Sequence, residues 1–152
     1  KNLSRLTIRN PGREGLRIIA EQALNLTSLS IITEGYTAHS GLTNHEAEII
    51  ATGLKNLTEL DLTNNNVGKV GAEHIACNLR SLDTLKISEN NIGSEGAEHI
   101  ANNLRNLKTL YISTKLDNAD GNNIGSEGAE AIGKNLKSLT HLVASKNLFN
   151  PD

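Results

Sequence analysis

The sequence predicts an α/β fold: a right-handed solenoid with a parallel sheet on its concave face and short helices on its convex face. A segment of 25 residues (57–81) recurs almost unchanged at 82–106. Each copy changes its hydrophobic period halfway through, from the alternation of a strand to the spacing of a helix. Such a unit cannot bury its apolar side alone, so we expect successive units to stack on one another.

The repeat is clearest from Leu57 onwards. The apolar positions of this copy recur 25 residues later (82 − 57 = 25), and they are Leu60, Leu62, Val67, Ala72, Ile75 and Leu79. Shorter or longer copies flank the central pair, which gives units at 3–25, 26–56, 57–81, 82–106 and 107–138, and a partial unit at 139–152. We therefore expect a single domain. Because the chain contains no methionine and opens directly on a repeat, we expect it to be a fragment of a longer protein.

Asparagine and glycine recur at fixed positions within the units. We expect the asparagine side chains after the strands to turn inward and to bond the backbone of the bend. These asparagines are Asn65, Asn90, Asn122 and Asn147. The glycines of the helical segments are expected to permit close packing, and they are Gly71, Gly96 and Gly128.

Three helix starts are suggested by hydroxyl side chains. Ser94 and Ser126 stand where an N-cap residue is expected. Thr43 followed three residues later by Glu46 has the spacing of a capping box, in which each side chain bonds the backbone of the other residue. We expect helices to begin at these residues.

Composition narrows the classes of partner. The chain has 15 basic and 17 acidic residues, so its net charge of −2 predicts no bulk attraction to nucleic acid or to an anionic membrane. We find no apolar run of about 18 residues, the length that a membrane span needs. A single cysteine, Cys77, cannot form an internal disulfide and favours a reducing compartment.

The strand residues between the buried ladder positions are the candidate binding surface. They vary from unit to unit while the ladder does not, so specificity can be encoded there. The candidates on this concave face are Arg5, Arg9, Glu59, Asp61, Lys86, Tyr111 and His141. Tyr111 is the most plausible anchor because tyrosine is favoured at binding hot spots. A merely solvated sheet face is the alternative.

Two insertions fall just after strands, at about 32–39 and 113–121. Both should project from the same rim of the solenoid, and long loops on a rigid scaffold often carry function. The candidate residues in these rim loops are Tyr36, His39, Lys115, Asp117 and Asp120. Tolerated length variation is the alternative interpretation.

The pattern LxxLxLxxN, seen here as Leu57-x-x-Leu60-x-Leu62-x-x-Asn65, resembles the leucine-rich-repeat family over the whole chain. The segment 71–76, Gly-Ala-x-x-Ile-Ala, is similar to the ribonuclease-inhibitor-like class and to short repeats of bacterial effector proteins. The resemblance implies a protein-interaction module whose partner would be a host protein. It implies a location in the cytoplasm, or secretion into the cytoplasm of a host cell. The alternative that it implies is a regulator of a GTPase, of the activating type, acting through rim loops.

Signals for chemistry are weak. We find no phosphate-binding loop, nucleophile motif or paired carboxylates, so we expect no enzyme, no catalytic residue and no cofactor. Asp117 to Asn122 resembles a calcium loop, but Leu116 occupies the first ligand position. His74 and His99 repeat with the units beside glutamates, so repetition explains them better than a metal site does.

Neither terminal unit carries the polar cap that a solenoid needs. Leu3 begins a strand immediately, and the helix of the last unit is absent from the sequence. We therefore expect the ends to be covered by further chain or by another molecule. End-to-end self-association is one form of the second possibility.

Overall fold

The computed structural model describes residues 3–34, 41–114 and 121–147. Strands and helices alternate through these ranges. The strands are β1 (Arg5–Arg9), β2 (Ser28–Ile32), β3 (Glu59–Asp61), β4 (Thr84–Lys86), β5 (Thr109–Tyr111) and β6 (His141–Val143). The helices are α1 (Gly12–Gln22), α2 (Asn44–Gly53), α3 (Gly68–Asn78), α4 (Gly93–Asn103) and α5 (Gly125–Asn135).

The strands form one parallel sheet in the order β1-β2-β3-β4-β5-β6. In the described ranges, each strand lies beside only the strands adjacent in sequence, and each helix lies beside only the helices adjacent in sequence. Parallel strands lie about 4.8 Å apart and packed helices about 8–10 Å apart, so the stack curves towards the sheet. The predicted solenoid, with its sheet on the concave side, is confirmed.

The core is a ladder of aliphatic side chains between the sheet and the helices. Leu29, Leu60, Leu85 and Leu110 lie in register across β2 to β5, and each is at most 1% exposed. Burying one such side chain stabilises the fold by about 1.5–3 kcal/mol. Repetition of this contact at every unit explains how a chain with almost no aromatic residues can fill a core.

The inward asparagines tie each bend to its neighbouring units. Asn90 is fully buried, and its Nδ2 donates to the carbonyls of Leu62 at 2.7 Å and Ser88 at 2.9 Å. Its Oδ1 accepts from the backbone N–H of Val67 at 3.2 Å. Asn122 and Asn147 are buried in the same way, whereas Asn65 is half-buried. The predicted structural role of these residues is confirmed.

The helix starts differ in part from the sequence prediction. Ser94 and Ser126 are the second residues of α4 and α5, and no side-chain hydrogen bond caps either helix. The N-cap prediction for these serines was wrong because the N-cap residues are Ile92 and Ile124, two residues earlier, where Gly93 and Gly125, with φ of 66° and 60°, turn the chain into the helix. The predicted capping box at Thr43 is confirmed in α2.

The helical glycines lie where adjacent helices touch. A methyl group at Gly71 would lie 2.6 Å from Cγ1 of Val67 and 3.1 Å from Cβ of Ala47 in α2. One at Gly128 would lie 2.9 Å from Cβ of Ala97 in α4. These distances are shorter than van der Waals contact, so the prediction that these glycines allow close packing is confirmed.

Apolar side chains are exposed towards both ends of the described stack. Leu3 is 48% exposed beside β1, and Leu142 is 46% exposed in β6. In the interior strands the residues equivalent to Leu142 are covered by the next unit. Within the described ranges, no helix is both long and apolar enough to cross a lipid bilayer.

Candidate functional site

The surface of the sheet that points away from the helices, here called the exposed sheet face, carries all seven predicted concave-face residues. Their strands place them in rows that run across the sheet. Asp61, Lys86 and Tyr111 occupy one row, in register across β3, β4 and β5. Arg5, Glu59 and His141 belong to a second row, and Arg9 ends β1.

Charged side chains on the exposed sheet face pair with one another between strands. Arg5 Nη2 lies 3.4 Å from Glu59 Oε1, and Lys86 Nζ lies 3.7 Å from Asp61 Oδ2. Arg9 pairs with Glu34 at the rim. Exposed pairs of this kind are worth about 0–1 kcal/mol, so an incoming partner can rearrange them at little cost.

Tyr111 links the charged part of the face to β6. The Nζ of Lys86 lies 5.6 Å from the centroid of the Tyr111 ring. The ring of His141 lies 5.5 Å from it on the other side, at an interplanar angle of 50°. Asp61, Lys86, Tyr111 and His141 thus form a continuous series of side-chain contacts across four strands. We call this series the β3–β6 strip.

A row of hydroxyl side chains just beyond the strands is structural. The backbone N–H of Ser113 donates to Ser88 Oγ at 3.0 Å, and that of Ser145 donates to Ser113 Oγ at 3.0 Å. Each of these two hydroxyls thus bonds the backbone of the next unit. Serine at the same position in three units was the signal that could have revealed the role.

A family comparison agrees with this geometry. The model of the family described as Leucine Rich repeat matches residues 53–76, 77–101 and 120–133. The first two matches adjoin each other and include β3, α3, β4 and most of α4.

The chain therefore contains leucine-rich repeats.

Leucine-rich-repeat proteins are generally binding scaffolds rather than enzymes, and their repeats typically bind proteins. The curated proteins searched contain no match to this leucine-rich-repeat chain. The surface that varies among stacked repeats is the part of such a scaffold available for recognition. In this chain the exposed sheet face is one surface whose residues vary between repeats.

The rim-loop residues of the leucine-rich repeats, Tyr36, His39, Lys115, Asp117 and Asp120, lie outside the described residues. The base of the second insertion is described. A methyl group at Gly121 would lie 1.7 Å from Cγ2 of Thr114, so the two sides of that insertion meet closely. Thr114 is buried, and its Oγ1 is 3.2 Å from Asn147 Oδ1, which fixes the base to the next unit.

Among the described residues, the helix side of the stack carries charged pairs but no tyrosine beside them. His99 Nε2 lies 4.0 Å from Glu73 Oε2, and Cys77 is exposed. In the part of the chain that the structure describes, no three histidine, cysteine or acidic side chains are grouped to hold a metal ion. Lys69, whose ammonium lies 2.8 Å from the carboxylate of Glu95, lowers the pKa of that glutamate.

Glu46 has the most strongly perturbed environment among the described acidic groups. Burial alone would raise the pKa of Glu46, but hydrogen bonds from Thr43 and Arg13 outweigh it and lower the pKa to about 2. Arg13 Nε donates to Glu46 Oε1 at 2.9 Å. The carboxylate therefore stays ionised at neutral pH and holds α1 against the start of α2.

Proposed function

We propose that this leucine-rich-repeat domain binds a protein partner through the exposed sheet face, with the β3–β6 strip as its anchor. The observation that carries the proposal is the contact series from Asp61 through Lys86 and Tyr111 to His141. It combines a large aromatic side chain with two charges that are held only weakly by each other. Tyrosine surrounded by adaptable polar groups is a frequent composition of binding hot spots.

The area of the face bears on how a partner would dock. Five strand spacings and strands of three residues give a rectangle of roughly 24 by 10 Å. This area is well below the roughly 800 Å² that each partner contributes to a stable interface. A partner would therefore also contact residues on the rims, which supports a role for the rim loops that contain Tyr36, His39, Lys115, Asp117 and Asp120.

The test compares two double variants of similar chemistry. The variant with both Asp61→Ala and Tyr111→Ala removes the two side chains that contact Lys86 on the exposed sheet face. Lys69→Ala with Glu73→Ala removes two exposed side chains of α3 on the helix side. We expect photo-crosslinking in a lysate to lose its specific protein product with the first variant and to keep it with the second. Equal recovery with both variants would contradict the assignment of the face.

The similarity of the Gly-Ala-x-x-Ile-Ala segments to effector repeats supports a finer proposal. Under this finer proposal, the partner is a host protein, and the domain acts in the cytoplasm or after secretion into a host cell. The regulator of a GTPase stays a prediction from the same resemblance. A GTP hydrolysis assay with candidate GTPases separates the two, because only a regulator changes the hydrolysis rate.

The exposed apolar residues at the two ends of the stack support end-to-end self-association as a separate proposal. Leu3 would pack against the β6 side of a second copy, where Leu142 is exposed. Successive units already pack in this way inside the chain. Sedimentation equilibrium would show a concentration-dependent mass, and a single monomeric species at all concentrations would contradict it.

A further inference from the structure

A cavity of about 440 Å³ lies between the first two units, beside the ends of β1 and β2. Asn10, Arg13, Thr33, Leu42 and Glu46 are among its lining residues. The residues of the β3–β6 strip are not among the described residues that line this cavity. The cavity is therefore a separate feature of the surface, with its own polar groups.

The cavity follows from a shorter connection in the first unit. Residues 9–11 separate Ile8 from Gly12, whereas residues 63–67 separate Leu62 from the equivalent Gly68. Both glycines have a left-handed φ, 63° and 64°, which aligns the two connections. The connections of the third, fourth and fifth units contain an inward asparagine and a buried apolar residue such as Val67. The first unit has no counterpart of that asparagine, and the cavity lies beside Thr33 and Leu42.

The carboxylates that line the cavity are already committed to partners. Glu46 Oε1 accepts from Arg13 Nε, and Glu46 Oε2 accepts from the backbone N–H of Thr43 at 3.0 Å and from its hydroxyl. Glu34 forms an ion pair with Arg9. The main acceptors of the lining are thus occupied, and their negative charges are balanced by these two arginines.

Two donors of the lining remain available. Asn10 uses its Oδ1 to accept from the backbone N–H of Glu34 at 3.1 Å, and its Nδ2 makes no hydrogen bond among the described residues. Arg13 uses Nε for Glu46, and its terminal amino groups make no hydrogen bond among the same residues. The side chain of Glu46 is 9% exposed, so it contacts the guanidinium of Arg13 from the buried side. The Arg13 side chain itself is 65% exposed.

We propose that this cavity is a carboxylate-binding site, in which the Arg13 guanidinium and the Asn10 amide donate to the two oxygens of the ligand. A guanidinium fork that is already oriented by one carboxylate is well suited to bind a second. The volume accepts a short acidic side chain or a small free acid. The same chemistry can therefore come from a small dicarboxylate or from an aspartate or glutamate of a polypeptide.

The experiment is a titration of the ¹⁵N-labelled chain followed by NMR. The probes are glutarate, the blocked peptide acetyl-Gly-Glu-Gly-amide, and the matched peptide acetyl-Gly-Gln-Gly-amide. We expect glutarate to shift the amides of Gly12, Thr33 and Gly41 and the Nε–H of Arg13, saturably, with a dissociation constant on the order of 1 mM. The glutamine peptide should cause no saturable shift.

Three variants identify the donors. Arg13→Gln removes the guanidinium, and Asn10→Asp removes the amide donor while keeping the acceptor for Glu34 and a residue that tolerates left-handed φ. Each should weaken binding at least about tenfold. Asn10→Asp leaves the Arg13–Glu46 pair in place, so it tests the site even if Arg13→Gln loosens the fold. Lys69→Gln, the equivalent position of the third unit, should bind like the wild type.

Each outcome decides the proposal. Saturable binding of glutarate alone supports the site and identifies a free acid as its ligand, and binding of the glutamate peptide as well identifies an acidic side chain. Absence of saturable shifts, equal binding of the glutamine peptide, or unchanged binding by either donor variant overturns it. The double variant Asp61→Ala, Tyr111→Ala should bind glutarate as tightly as the wild type. The glutarate titration therefore tests the cavity independently of the proposed function.

Discussion

Asn90 crosses a unit boundary: its side-chain amide donates to the carbonyl of Leu62 at 2.7 Å, while its own bend supplies the other acceptors. The residue is fully buried. This buried amide therefore serves two units at once.

We therefore expect Asn90→Ala to destabilise the fold by about 1–3 kcal/mol, because it leaves buried backbone groups unpaired. Chemical denaturation measures the change in the free energy of unfolding. Asn66→Ala is the matched control, since Asn66 lies in the equivalent bend of the third unit but is exposed. It should change the stability by less than about 0.5 kcal/mol. An Asn90→Ala variant as stable as the control would contradict the structural role.

Gly71→Ala should destabilise the stack by about 1–3 kcal/mol, because the added methyl group would overlap Val67 and press α3 away from α2. Thermal unfolding followed by circular dichroism measures the effect. Gly133 provides the opposite case: it lies within α5 and a methyl group there has no neighbour within 4 Å. Gly133→Ala should stabilise by about 0.5–1 kcal/mol. Equal losses at both glycines would contradict the packing argument.

Stability should depend on the ionisation of Glu46. Its pKa in the folded chain is about 2, below the ordinary value of 4.5. The stabilisation is therefore fully present above about pH 5 and is lost as the pH falls through 4.5 towards 2. Glu46→Gln should cost about 1 kcal/mol at pH 7, and the difference from the wild type should vanish near pH 2. Urea denaturation at several pH values measures it.

Glu48→Gln serves as the control for that pH series. Glu48 is on the same helix, but its contact with His45, 3.5 Å away, is solvent-exposed. Exposed pairs contribute little, so this variant should follow the wild-type stability curve throughout. A pH dependence shared by both glutamine variants would mean that the acid-sensitive group lies elsewhere.

Tyr111→Ala should separate binding from folding. The side chain is half-buried on the exposed sheet face and its contacts with Lys86 and His141 are weak ones. We expect the free energy of unfolding to fall by less than about 1 kcal/mol. We expect crosslinking to the protein partner to fall roughly thirtyfold, the loss that corresponds to a hot-spot residue worth 2 kcal/mol. Thr109→Ala, in the same strand and on the same face, should leave the crosslinking yield unchanged.

The parts of the fold that depend on periodic spacing could be predicted from the sequence. The ladder residues and the inward asparagines recur with the units, so their burial follows from the repeat alone. The N-caps at Ser94 and Ser126 were predicted two residues late, because the prediction relied on the N-cap preference of serine and not on the left-handed conformation that Gly93 and Gly125 adopt. The placement of face residues followed from strand alternation.

The parts that depend on contacts between unlike units could not be predicted. Arg13 and Glu46 are separated by 33 residues, and the other units do not repeat this arginine–glutamate pair. No repetition in the sequence therefore marks the two residues as partners. The cavity beside them arises from the two residues that the first unit lacks, and a shorter loop does not reveal whether the chain closes the space. The pairing of Lys86 with both Asp61 and Tyr111 likewise depends on rotamers rather than on pattern.

The restriction of contacts to adjacent elements has a kinetic consequence. With no long-distance tie between the first and last described units, the ends of the stack can open without breaking the middle. Amide hydrogen exchange should then be graded, slowest in 57–106, where each layer is covered on both sides, and faster towards either end. A ligand that spans several layers would slow exchange in all of them, and the breadth of that protection would report how much of the domain the ligand touches.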